Sequence, residues 1–335
     1  MQPIEIAAFY HFARLPDFAA LREPLAKLAC SLGIKGIILL APEGINGTVG
    51  GTPEAMAAFH PGLREITGLP AIEHKTSFAD EMPFLRMKVR LKEEIVTLGD
   101  TSVDPTARVG TYVEPRDWNA LIADPEVLVI DTRNDFEVRI GSFRGAIDPH
   151  TKTFGDFPAY VRDNLDPARH RKVAMFCTGG IRCEKATSLM LREGFEEVYH
   201  LKGGVLKYLE EIPPQESLWQ GACFVFDKRV AVGHGLAVED YQLCHGCLSP
   251  LDAEERRSPD YEEGVSCPHC ASTLTEAQKA SSRERHRQVV LAERRGGTHL
   301  GPVGDAATMQ GATRASPTRL REVAERSEVG GGVVR

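Results

Sequence analysis

The five residues Lys172–Phe176, running straight into Cys-Thr-Gly-Gly-Ile-Arg at positions 177–182, restrict the fold of this chain more than any other stretch. "KVAMF" is apolar but too short for a helix. It ends in a Gly-rich turn, and a helical pattern begins near Cys183-Glu184 and continues through "ATSLMLREGF", so it reads as a buried strand feeding a helix. "VLVIDTR" before it and "EVYHL" after it are of the same kind. Continuous apolar strands separated by helices require a parallel sheet covered on both faces. The pattern predicts an α/β domain over about residues 112–220, and such sheets carry their chemistry in loops at the C-terminal ends of strands.

Cys177 stands at that position. A lone cysteine at the end of a buried strand is usually packing, but this loop argues for more. Backbone N–H groups freed from bulk by Gly179 and Gly180 can curl toward the sulfur, the following helix adds its positive end, and Arg182 is close by; all three favour thiolate over thiol. Thr178, Gly179, Gly180, Ile181 and Arg182 therefore form a candidate active-site loop around a reactive Cys177. Cysteine phosphatases space the two groups C-x5-R, whereas Cys177 and Arg182 are C-x4-R; the smaller ring suits a single sulfur better than a tetrahedral phosphate. Asp131 and Arg133, at a strand end, read as supports of the sheet and loop, and Glu137 as an ion-pair partner for an arginine. Cys183 reads equally as a half-buried thiol at a helix start or as a resolving thiol. Cys30 and Cys223 read as core.

The first ninety residues are organised differently. "IEIAAFYHFA" reads as a strand, "PDFAALREPLAKLACSLG" as an amphipathic helix, and "KGIILLAPEG" with "INGTVGG" as two strands. "EAMAAFHPGLREI" follows as a helix capped by Thr52-Pro53, and "FLRMKVRLK" as a closing strand. The order β-α-β-β-α-β predicts a ferredoxin-like (acylphosphatase-like) domain over 1–92. Residues 93–111 are turn-rich and read as a linker.

Four of the eight cysteines fall in a third segment, 221–275, as "CHGC" (Cys244, Cys247) and "CPHC" (Cys267, Cys270). C-x2-C-x19-C-x2-C is zinc-ribbon spacing: each pair closes a knuckle, and four thiolates fill a tetrahedral coordination sphere, so the implied zinc is structural. His245 and His269, inside the knuckles, read as bystanders. Residues 276–295 read as a basic helix, and 296–335, rich in Gly, Ala, Thr and Ser, as a disordered tail.

At 335 residues the chain is long enough for two or three domains. Its net charge of −7 is uneven, with an acidic body and a basic C-terminal end, which argues against a general nucleic-acid coat. Local basic stripes remain candidates for RNA contact: Arg86, Lys88 and Arg90, alternating along one strand, and Arg283, Arg285 and Arg287 on the basic helix. No apolar run approaches the length of a membrane span, and the N-terminus lacks the basic start and apolar block of a secretory signal. A cytoplasmic protein without a membrane partner is the expectation. No flavin or nicotinamide motif is present.

Residues 112–220 resemble a rhodanese domain. Besides the loop, "LVIDTRNDFEVRIGSFRGAI" is similar to that family's Asp-x-Arg…Glu…Gly…Gly-Ala stretch, and "VYHLKGGVLKYL" to its closing Leu-x-Gly-Gly; "GSF" departs from the usual Gly-His-Ile. "FCTGGIRCEKA", preceded by "APEGINGTVGG" and "DTRN" and followed by "GGVLKYLEEI", "FVFDKRVAV" and the paired cysteines, resembles more narrowly the tRNA uridine hydroxylase branch of rhodanese-like proteins. The likeness covers about residues 1–300. It implies oxygen-dependent hydroxylation of the wobble uridine at C5, with molecular oxygen as co-substrate, the anticodon region of tRNA as partner, and the loop cysteine, here Cys177, required. A thiolate there could add to C6 of uracil and make C5 electron-rich. The rivals are a sulfurtransferase carrying a persulfide on Cys177 and a non-catalytic tRNA-binding module. The expected architecture is α/β multidomain: an N-terminal ferredoxin-like α+β sandwich, a central rhodanese-like α/β domain with a parallel sheet, a small zinc-ribbon-like unit and a disordered tail.

Overall fold

The computed structural model describes residues 3–227 and 229–295; the tail 296–335 lies outside the described residues. In the N-terminal unit, β1 (Ile4–Phe12), α1 (Arg22–Ser31), β2 (Lys35–Ala41), β3 (Gly44–Gly51), α2 (Pro53–Thr67), β4 (His74–Ala79) and β5 (Met87–Leu91) follow one another. The sheet order is β4-β1-β3-β2-β5, antiparallel except for the β2–β5 pair. α2 starts where Thr52 Oγ1 accepts the Ala55 N–H (3.3 Å), with Pro53 in its first turn. Ala7, Phe9, Ile38, Leu40, Ile45 and Val49 pack on one face of the sheet against Leu25, Ala29, Met56, Phe59 and Leu63 of the helices. A large apolar side chain fully buried in this way contributes about 1.5–3 kcal/mol.

Two details correct the sequence reading. The strand that closes the β-α-β-β-α-β unit is β4, "HKTSFA", and the segment read as the closing strand becomes β5, an extra parallel strand on the far edge. β4 escaped notice because none of its residues is fully buried, so it carries no apolar alternation. Cys30, expected in the core, is exposed on α1.

The helices leave the other sheet face open, and it looks onto the central unit. That unit has an all-parallel sheet in the order β6-β10-β9-β7, built from Thr111–Val113, Glu197–Leu201, Lys172–Phe176 and Val127–Asp131. α3 (Pro115–Ile122), α4 (Asp135–Val138), α5 (Phe157–Asn164), α6 (Ile181–Arg192) and α7 (Gly204–Glu211) surround it, with β8 (Gly141–Phe143) pairing with β11 (Trp219–Gly221) beside it. Val173, Met175 and Ile130 pack against α5 and α6, while Val129, Ala174 and Phe176 pack against Trp118, Val205, Tyr208 and Trp219. Both faces are covered, as the apolar strands require.

The connector is not slack. Val96, Leu98 and Val103 are buried in the central core, and Glu94 is 5 % exposed. Lys185 of α6, fully buried, pairs with Glu94 and with Glu43 (2.8 Å), which ties the rhodanese-like helix to the N-terminal unit. After β11, short pairings lead to the four cysteines and to α8 (Glu276–Arg294). Among the described residues, no helix is long and apolar enough to cross a membrane.

Candidate active site

The loop after β9 wraps around one sulfur. Its carbonyls point outward and are satisfied there: the N–H groups of Val205 and Leu206, at the start of α7, donate to Cys177 O (2.9 Å) and Thr178 O (3.1 Å). With the carbonyls turned out, the amides turn in, and Gly180 N–H donates to Cys177 Sγ (3.1 Å). Two glycines permit this. Gly180 has φ of 103°, and a Cβ on it would stand 2.9 Å from the Tyr10 hydroxyl; a Cβ on Gly204, at φ 68°, would stand 2.5 Å from Cys177 O. The Leu-x-Gly-Gly segment is thus the outer wall of the cysteine loop.

Arg182 lies in the first turn of α6, which begins at Ile181, two residues earlier than the sequence pattern suggested. It forms a two-pronged ion pair with Glu137, Nη1 to Oε2 at 2.6 Å and Nη2 to Oε1 at 2.7 Å, and Thr178 Oγ1 donates to the same carboxylate (3.1 Å). Burial works against the charge on Glu137, but Arg182, and after it Arg133, keep the carboxyl below its usual range. Beneath, Arg133 Nε and Nη2 hold Asp131 (2.9 and 2.6 Å), with Ser142 Oγ donating to the same carboxylate (2.8 Å) and the Trp219 ring 5.0 Å from the guanidinium. Neither Asp131 nor Arg133 lines the cleft, and both are fully buried.

Burial alone would raise the Cys177 thiol. The Cys183 thiol, the Arg182 guanidinium and the N–H groups of Cys183 and Gly180 outweigh it and bring Cys177 down to about 5. Cys183 goes the other way, pushed up by burial and by Cys177, with Thr132 Oγ1 3.6 Å from its sulfur. One thiolate and one thiol sit side by side.

The sulfur lies at the floor of a cleft of about 1160 Å³ between the two units. The opposite wall is the open sheet face of the N-terminal unit, and sequence reasoning missed what it supplies. Strand register places Lys75 opposite Ala8, on the side that carries Tyr10 and Thr48. Lys75 Nζ donates to the carbonyls of Gly179 and Gly203, and the Tyr10 hydroxyl donates to Glu184 Oε1 (2.8 Å). Tyr112 hydrogen-bonds the same carboxylate, which burial nevertheless holds above its usual range. Nothing local in "EHKTS" marks Lys75; only the register of β4 on β1 does. Glu184 has a signal in the sequence, since it follows Cys183 at the expected helix start.

The other candidates lie elsewhere. Lys88 and Arg90 pair with Ile37 and Leu39, which line the cleft, so their side of β5 continues its wall. Arg86 directly precedes that strand. On α8, Arg283 is paired with Glu262 (2.6 Å) and Arg287 with Glu284 (2.9 Å), while Arg285 reaches His245 O (3.5 Å). Cys244, Cys247, Cys267 and Cys270 converge, with sulfur separations of 3.8 Å (Cys244–Cys270), 3.6 Å (Cys247–Cys267) and 3.8 Å (Cys267–Cys270). A tetrahedron with metal–sulfur bonds of about 2.3 Å has edges of about 3.8 Å, so the four thiolates fit one zinc-sized ion. His269 is turned to Glu255 instead.

Strand, amide-lined loop, helix and carboxylate-locked arginine define the central unit as rhodanese-like: residues 114–211 match the rhodanese-like domain, and residues 4–95 match the UPF0176 acylphosphatase like domain. Two curated relatives called tRNA uridine(34) hydroxylase align along nearly the whole chain. The protein of Teredinibacter turnerae is 56% identical over 92% of this chain and 98% of its own, and that of Sinorhizobium fredii is 60% identical over 88% and 94%. The chain belongs to the tRNA uridine(34) hydroxylase family.

Proposed function

We propose that this protein hydroxylates the wobble uridine, position 34, of tRNA at C5 to give 5-hydroxyuridine, with molecular oxygen as co-substrate and Cys177 as the catalytic nucleophile. The observation that carries the mechanism is the inward-facing amide cradle around Cys177 at the floor of a cleft wide enough for a base. The Cys177 thiolate adds to C6 of the uracil, and the electron pair displaced from C5=C6 makes C5 the site of oxygen attack. One oxygen atom enters at C5 and the other leaves as water, which takes two electrons and two protons. The peroxide formed at C5 takes a proton from solvent and gives its outer oxygen to the Cys183 thiol, leaving a hydroxyl at C5 and a sulfenic acid on Cys183. Loss of the C5 proton then expels the Cys177 thiolate from C6 to give 5-hydroxyuridine, and that thiolate attacks the Cys183 sulfur, the oxygen leaving as hydroxide that takes up the released proton as water. Cys183 is thus the resolving thiol, and a cellular dithiol reduces the Cys177–Cys183 disulfide between turnovers. Thr178, Gly179, Gly180, Ile181 and Arg182 shape the loop, and Asp131 and Arg133 brace it.

tRNA enters by its anticodon arm, with Arg86, Lys88 and Arg90 along the sheet edge, and Arg283, Arg285 and Arg287 on α8, taking phosphates. Cys244, Cys247, Cys267 and Cys270 hold a structural zinc that folds the C-terminal unit. The setting is the cytoplasm, where thiols stay reduced.

The test is nucleoside mass analysis of tRNA incubated with purified reduced protein in air and under argon. Gain of one oxygen in air alone, lost in Cys177→Ala, is the expected result. Without added reductant, product should stop at one per protein as Cys177 and Cys183 lose two hydrogens. Gain of sulfur in place of oxygen would make the protein a sulfurtransferase with a Cys177 persulfide, and full activity of Cys177→Ala would end both readings.

A further inference from the structure

The N-terminal wall of the cleft carries one cation in an unusual setting. Lys75 Nζ faces the cysteine loop, yet it donates to two backbone carbonyls, Gly179 O on the loop and Gly203 O at the foot of α7, rather than to a carboxylate. An ammonium has three N–H donors. Two are taken, and among the described residues the third has no hydrogen-bond acceptor, in a group that lines the same cleft as Cys177. On the loop side the Arg182 guanidinium is already held by both oxygens of Glu137. Its charge is therefore largely answered; Lys202 and Lys207, which also line the cleft, pair with Glu114 and Glu211, and Arg229 pairs with Asp227, so among the described residues that line the cleft Lys75 is the lysine or arginine that meets no carboxylate in an ion pair.

Addition of a thiolate to C6 of uracil develops such charge. The sulfur lone pair forms the S–C6 bond, the C5=C6 pair shifts to C4–C5, and the C4=O pair moves onto O4, leaving an enolate oxygen with no proton gained or lost. We propose that Lys75, from the acylphosphatase-like domain, is a second catalytic residue, its remaining N–H donating to the C4 carbonyl oxygen of the target base as that enolate forms. This rests on the hydroxylase reading above and adds to it the part of the base that is recognised. It also gives the N-terminal unit a direct part in the chemistry, since the site is incomplete without it. A base that bears an amino group at C4, as cytosine does, presents a donor to this donor and is refused.

The groups that face Lys75 are Cys177 on the loop, Glu184 on α6, Lys207 and Glu210 on α7, and Tyr10 on β1. Burial brings Lys75 down to about 8, against the opposing pull of the Cys177 charge. The thiolate requires pH above about 5 and the ammonium requires pH below about 8, so the pH profile is a bell between them.

The experiment uses full-length protein and tRNA bearing 5-fluorouridine at position 34, whose electron-withdrawing fluorine makes C6 more open to the thiolate and favours the C6 adduct, and follows the covalent complex on denaturing gels under argon. Wild type is expected to form the complex, and Lys75→Met to form it roughly 100- to 1000-fold more slowly. Lys75→Arg keeps the charge and the donors, so it should recover much of the rate while losing the alkaline fall near pH 8, a change that a merely structural lysine would not produce. Equal adduct rates for wild type and Lys75→Met would overturn the role of Lys75 and leave the hydroxylase reading standing. No adduct from a protein that still makes 5-hydroxyuridine from ordinary tRNA would overturn both the C6 step and Lys75. A protein that makes no 5-hydroxyuridine would sink the function itself.

Discussion

The two walls of the cleft are built in opposite ways. The loop wall is one contiguous hexapeptide whose geometry is set locally: strand end, two glycines, helix start, and a carboxylate 45 residues away that locks the arginine. The sheet wall is assembled from Tyr10 on β1, Lys75 on β4 and the β2–β3 residues between, drawn from strands well separated in the chain. The loop's polar groups are held largely within the central unit, by Val205, Leu206 and Glu137, while Gly179 O accepts from Lys75 across the boundary. Among the described residues, the contacts across the boundary include Lys75 to the carbonyls of Gly179 and Gly203, Tyr10 to Glu184, Lys185 to Glu43, and Phe12 packed against the central core. The groups that lower the Cys177 thiol therefore stand on one wall, and Lys75, proposed to meet the base, stands on the other.

Three substitutions test that division. The largest effect should come from Glu137→Gln, which leaves the Arg182 guanidinium buried without its counter-charge: a loss of about 3–5 kcal/mol in denaturant unfolding, with slower alkylation of Cys177 by iodoacetamide. A loss below about 1 kcal/mol would mean that the loop does not depend on its own ion pair. Next is Lys185→Met, which strips the cation from between Glu43 and Glu94. About 3 kcal/mol should go, because one carboxylate can relieve the pair by taking a proton, and the two units should unfold in separate transitions. A single cooperative transition would show that the walls are coupled by more than this contact. The smallest is Tyr10→Phe, one hydrogen bond to Glu184 that Tyr112 partly covers, at about 1 kcal/mol by thermal melting. A cost several times larger would place part of the loop's stability in the sheet wall.

The sequence was legible where chemistry and spacing coincide on one segment. The parallel sheet followed from its apolar strands, the four-cysteine cluster from its spacing, and the cysteine loop from its glycines and the helix behind it. It was less legible where a strand lacks an apolar pattern. β4 has every residue half-exposed or exposed, so its register on β1, and with it the position of Lys75, could not be read locally. The residues 94–103 looked like a turn-rich linker because their apolar members are few and irregular, yet they bury Val96, Leu98 and Val103 in the neighbouring core. Cys30 shows the converse: an apolar neighbourhood in sequence on a helix face that turns to solvent.

By itself the sequence determined the units and the surroundings of Cys177, since hydrophobic period, glycine placement and ligand spacing act over a few residues and survive reading in one dimension. Which groups stand across the cleft from that sulfur was decided only in three dimensions. Strand pairing set Lys75 and Tyr10 on one sheet face, and packing of that face on the central unit brought Lys75 to Gly179 over 104 positions of chain and Tyr10 to Glu184 over 174; no local preference encodes a distance of that kind.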